Sequence, residues 1–77
     1  MSTKIRVLMV DDEPNVLSGY RRSIGRSYDL VTANSGQEGL EALNNEGPFE
    51  VVVTDMRMPE MDGLEFLKRA KAKHPNT

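Results

Sequence analysis

The chain is predicted to fold as one α/β domain, an open parallel sheet in the order βαβαβα with helices on both faces. Three observations carry that prediction. The runs 5–10, 28–33 and 51–54 are rich in apolar and β-branched residues and have strand length. After each comes a segment of helix length with apolar residues recurring at three- and four-residue spacing. Strands alternating with helices of these lengths require crossover connections, which are right-handed and place the strands parallel.

Each element has its own signal. In residues 5–10 only Arg6 is polar, as expected of a strand buried on both faces. Asp12-Glu13-Pro14 then opens a helix, with acids at the cap and proline in the first turn. Val16, Leu17, Tyr20 and Ile24 are expected to form its buried stripe, and Gly25 to end it. The run 28–33 is a more exposed strand, interrupted or flanked by Asp29, Thr32 and Asn34. Ser35 with Glu38 matches a capping box. The following helix presents Leu40 and Leu43 with Gly39 and Ala42, and stops near Gly47-Pro48. After the third strand, residues 56–62 form a loop. Gly63 opens a last helix, capped by Asp62, with Leu64, Leu67 and Ala70 as the expected stripe and Pro75 as its stop.

The bulk properties narrow the function classes. At 77 residues there is room for one small domain. Such a domain buries only about 60% of the surface its unfolded chain exposes, so marginal stability is expected. Net charge is −2 with both signs mixed along the chain, which speaks against direct nucleic-acid or membrane binding. There is no cysteine for disulfides or thiolate metal sites. The apolar stretch after Lys4 and Arg6 is too short for a signal-peptide core or a membrane span. A soluble, cytoplasmic domain is the expectation.

The chemistry is expected at the strand ends. Asp11 and Asp12 follow the first strand and Asp55 follows the third. In a parallel sheet these ends lie side by side, at the edge where such folds bind ligands. Three carboxylates there repel one another unless a cation shares the site. Hard oxygen donors with room for water and phosphate suit Mg²⁺. His74, the only histidine, reads as a solvated helix-end residue, and the cations Lys68, Arg69, Lys71 and Lys73 as residues near a helix C-terminus that complement its dipole. Met58 and Met61 read as loop packing, and Met58-Pro59 and Asp62-Gly63 as backbone devices.

Two strings carry a resemblance over the whole chain. They are Val10-Asp11-Asp12-Glu13-Pro14 and Val53-Thr54-Asp55-Met56-Arg57-Met58-Pro59-Glu60-Met61-Asp62-Gly63, with Ser35-Gly36 and Glu38 in support. The chain resembles the receiver domain of two-component response regulators, a flavodoxin-like fold. The resemblance implies that Asp55 accepts a phosphoryl group from a histidine kinase or phosphotransfer protein, and that Mg²⁺ is the cofactor. It further implies that Asp12 binds the metal directly, Asp11 supports it, often through water, and the Arg57 backbone carbonyl completes the protein's share. Asp55 also counts among the metal ligands. Such a module signals and does not turn over an external substrate.

A full receiver has five strands and five helices, so residues 1–77 are expected to be the amino-terminal part of one. The hydroxyl residue and lysine that in the family touch the phosphoryl oxygens have no counterpart. The third strand, central in the family, becomes an edge here, a template for pairing with another chain. The chain is then part of a longer protein, a fragment, or one that completes its sheet by self-association; the first two are favoured. Two rival functions stand beside the phosphoacceptor. One is a pseudo-receiver acting only as an interaction module, favoured by the missing groups. The other is an aspartyl-nucleophile phosphohydrolase, which resembles a strand followed by Asp-x-Asp. That pattern fits poorly, because Glu13 follows Asp11 by two and Arg57 follows Asp55 by two. The output domain and regulated process are not encoded in this segment.

Overall fold

A computed structural model describes residues 4–75; residues 1–3 and 76–77 of the expected domain lie outside the described residues. The elements follow the predicted order: β1 (Arg6–Val10), α1 (Pro14–Ile24), β2 (Asp29–Ala33), α2 (Gly36–Glu46), β3 (Val51–Thr54) and α3 (Gly63–Lys73). All strands are parallel, in the order β2-β1-β3. The run of apolar residues is therefore central, and two polar-flanked or short runs are edges.

Alternation along β1 divides the core in two. Val7 and Met9 meet Leu17 of α1 and Leu30 of β2 on one face. Leu8 and Val10 point to the other, where Ala33, Ala42, Leu43, Phe49, Met58, Phe66 and Ala70 complete the larger cluster. The sheet is thus sandwiched between α1 and the pair α2 and α3. Burying Leu8 and Phe66 completely contributes roughly 2–3 kcal/mol each by transfer of apolar surface.

Two helix faces differ from the predicted stripes. In α1 only Leu17 is buried; Val16 and Tyr20 are exposed and Ile24 is half-buried. In α3 the inward face is Gly63, Phe66 and Ala70, whereas Leu64 and Leu67 are exposed. The cause in α3 is steric. Phe66 enters a slot above Gly39, where an added Cβ would stand 2.7 Å from its ring and 2.9 Å from Val10. That contact sets the rotation of α3 and leaves both leucines exposed, Leu67 beside Val51 and Val52 of β3.

The α2 cap forms as a variant of the expected box. Ser35 Oγ accepts from the Glu38 N–H at 3.1 Å, but the Glu38 carboxylate reaches the N–H of Asn34 rather than that of Ser35. Asp62 Oδ1 caps α3 by accepting from the Glu65 N–H at 2.8 Å. In α1 the cap residue is Glu13, whose side chain makes no cap bond. Met58 is buried and Met61 packs against the core, as expected of loop packing. His74 is not simply solvated: it is half-buried and its Nε2 lies 2.9 Å from Asn44 Oδ1, linking α3 to α2.

Candidate metal centre

Register places the acids. Val10 pairs with Thr54 across β1 and β3, so the next residue of each strand, Asp11 and Asp55, emerges at the same sheet edge. The ladder continues one step beyond the strands. The Asp55 N–H donates to the Val10 carbonyl at 2.9 Å, and the Asp11 N–H donates to the Ala33 carbonyl at 3.1 Å. Both backbones are therefore held by the sheet while their side chains leave it.

Local turns aim the side chains. Asp11 Oδ1 accepts from the Glu13 N–H at 2.9 Å, which turns the chain from β1 into α1 and leaves Asp12 at the bend. Asp55 Oδ1 accepts weakly from the Arg57 N–H at 3.4 Å. The loop after Asp55 is closed by the Gly63 N–H, which donates to the Met56 carbonyl at 3.2 Å. Gly63 is needed there because any Cβ would collide with the Asp55 carbonyl oxygen and the Met56 backbone. Glu60 takes φ 67°, a left-handed conformation that costs a non-glycine residue about 1 kcal/mol.

The result is a cluster in which Asp11, Asp12 and Asp55 each offer a carboxylate oxygen, all within 4.8 Å of one another. All three residues are half-buried. Among the described residues neither Arg6–Asp29 nor Arg69–Glu65 involves these acids, and no ion pair to Asp11, Asp12 or Asp55 is present to neutralise the cluster. At such separations each like-charged pair costs roughly 1–3 kcal/mol, depending on the local dielectric. A hard divalent cation fits this donor set: three anionic oxygens, no sulfur or imidazole, and access from solvent.

A cavity of about 220 Å³ adjoins the cluster, walled by Met9, Leu17, Tyr20 and Val53 below Asp11 and Asp55. Tyr20 thus belongs to the wall of the site region; helical spacing alone could not separate that place from a core position. A groove of about 690 Å³ lies at the opposite end of the sheet beside Lys4 and Tyr28, away from the acids. No helix among the described residues is long and apolar enough to cross a membrane.

Comparison with known proteins agrees with this geometry. Transcriptional regulatory protein GlrR of Escherichia coli (strain K12) is 41% identical over 71 residues, covering 90% of this chain and 16% of that protein. A solved structure titled as adenylate cyclase from Rhodopirellula baltica superposes with TM-score 0.92 at 35% identity, covering 97% of this chain and 56% of the other. A response regulator receiver domain protein from Clostridium thermocellum gives TM-score 0.85 at 32% identity, over 92% and 58%. The chain thus spans about one sixth of the curated relative and somewhat over half of each solved chain. The model of the response regulator receiver domain matches residues 7–77, the stretch that carries both acid-bearing strand ends, and the chain belongs to that family.

Proposed function

We propose that this chain is a phosphoacceptor module that takes a phosphoryl group onto Asp55 with Mg²⁺. The observation that carries the reading is the uncompensated cluster of Asp11, Asp12 and Asp55 at adjacent strand ends. Asp12 and Asp11 hold the metal side of the site, with Asp55 and the Arg57 carbonyl as further ligands. When bound, Mg²⁺ supplies positive charge that lowers repulsion between the Asp55 carboxylate and incoming phosphoryl oxygens. An Asp55 oxygen attacks phosphorus, the P–N bond of a phosphohistidine breaks, and the imidazole nitrogen leaves with the bonding pair. The donor is a histidine kinase or phosphotransfer protein, and the module reports its state to an output partner without turning over an external substrate. It works on the cytoplasmic side.

Intact mass after treatment with acetyl phosphate or phosphoramidate and Mg²⁺ tests this. One added phosphoryl group is expected in the wild type and none in Asp55→Asn. Retained labelling in that variant would place the acceptor elsewhere.

The 77 residues are read as the amino-terminal part of such a domain, which fits their partial coverage of the solved relatives. The outer strand β3 carries Val51 and Val53, 44% and 43% exposed, and Leu67 beside it is 38% exposed. That edge supports self-association of the isolated chain. Size-exclusion chromatography with light scattering is expected to show oligomers; a stable, cooperative monomer would exclude it.

A further inference from the structure

The other edge of the sheet is different in kind. Charges that are scattered in sequence converge beside β2: Lys4, Arg21 and Arg26 line the 690 Å³ groove together with Gly25, Tyr28 and Leu30. Asp29 also borders it, but its carboxylate is held by Arg6 at 2.9 Å. Among the described residues none of the three groove cations is in an ion pair, and Arg21 makes only a 3.0 Å hydrogen bond to Thr32 Oγ1. The groove is therefore net cationic although the chain is net acidic.

The backbone of β2 adds a second recognition element. The Asp29 N–H donates to Ile5 and the Ala33 carbonyl accepts from Asp11, so alternate residues 29, 31 and 33 face β1. Leu30, which lines the groove, and Thr32, which holds Arg21, turn their amides and carbonyls outward, away from β1. Leu30 packs in the core under α1, whereas Val31 packs in the core under α2. A strand added here meets cations on the α1 face and apolar surface on the α2 face.

We propose that the outer edge of β2 docks an extended protein segment in which acidic and apolar residues alternate, bound as an added strand. Its carboxylates lie on the α1 face against Arg21, Arg26 and Lys4, and its apolar side chains lie beside Val31. Open backbone amides and carbonyls select a polypeptide, since a nucleic acid or lipid headgroup cannot continue the ladder. The cations select acidic side chains and steer the encounter.

The test uses the full chain and a fluorescein-labelled, end-capped hexapeptide of alternating valine and glutamate, read by fluorescence anisotropy at low salt. Saturable binding is expected, about tenfold weaker in Arg21→Glu/Arg26→Glu and about tenfold weaker for the glutamine version of the peptide. The same peptide N-methylated at alternate amides is expected to lose binding. Lys68→Glu, an equal kind of charge change on α3, is expected to leave affinity unchanged. If circular dichroism shows the double variant unfolded, Arg26→Gln carries the test, with about threefold weakening expected. Absence of saturable binding, equal binding by the charge-reversed variant, or tighter binding of single-stranded DNA or anionic phosphatidylserine vesicles than of the peptide would overturn the proposal.

Discussion

The two ends of the sheet treat the same chemical group in opposite ways. At the amino end, acids are answered. Arg6 holds Asp29 at 2.9 Å through its guanidinium and Glu50 at 2.9 Å through its backbone N–H. The same guanidinium donates to the carbonyls of Glu46 and Pro48 and lies 4.7 Å above the Phe49 ring. At the carboxyl end, Asp11, Asp12 and Asp55 crowd together with no cation among the described residues to offset them. Charge is balanced internally around Arg6, and left unbalanced at the cluster to which the proposed function assigns Mg²⁺. Unpaired acids at a strand end thus mark function more sharply than acids as such.

Substitutions at the two ends should therefore move stability in opposite directions. The largest effect is expected for Arg6→Ala, which removes an exposed ion pair, two carbonyl bonds and a cation–π contact together. A loss of about 2 kcal/mol follows from their ordinary contributions, discounted for exposure. Urea unfolding measures it, and a loss below a few tenths would mean that the amino end does not depend on that anchor. At the other end, Asp55→Asn in metal-free buffer is expected to gain about 1 kcal/mol, because it relieves repulsion that nothing else offsets. A clear loss in the same assay would break the comparison. The smallest change concerns the loop that positions Asp55. Glu60→Gly removes the left-handed penalty at φ 67° and should raise the unfolding free energy by about 0.5–1 kcal/mol, less the entropy glycine adds to the unfolded chain.

The carboxyl end was legible in the sequence, and the amino end largely was not. An acid immediately after an apolar strand has its place fixed by one-dimensional position, so Asp11, Asp12 and Asp55 could be brought together from strand order alone. Arg6 looked like an interruption of a strand. Its partners lie 23 to 44 residues away, and local pattern carries no signal for them. The cationic groove beside β2 was hidden for the same reason, since Lys4, Arg21 and Arg26 are separated by residues of either charge. Helix faces failed differently. Periodicity finds an apolar stripe but not its phase when large apolar residues occupy two faces, and in α3 the slot above Gly39 selected Phe66 over Leu64 and Leu67.

Titration of Mg²⁺ into the metal-free chain, followed by calorimetry, tests most directly whether the unbalanced charge at the carboxyl end is a metal site. One Mg²⁺ is predicted per folded chain, with affinity reduced about tenfold or more in Asp12→Ala and less in Asp11→Ala. Binding should also raise the unfolding free energy of the wild type, by about 2.7 kcal/mol at a hundred times Kd. No binding by the folded chain, or equal binding by wild type and Asp12→Ala, would contradict the account.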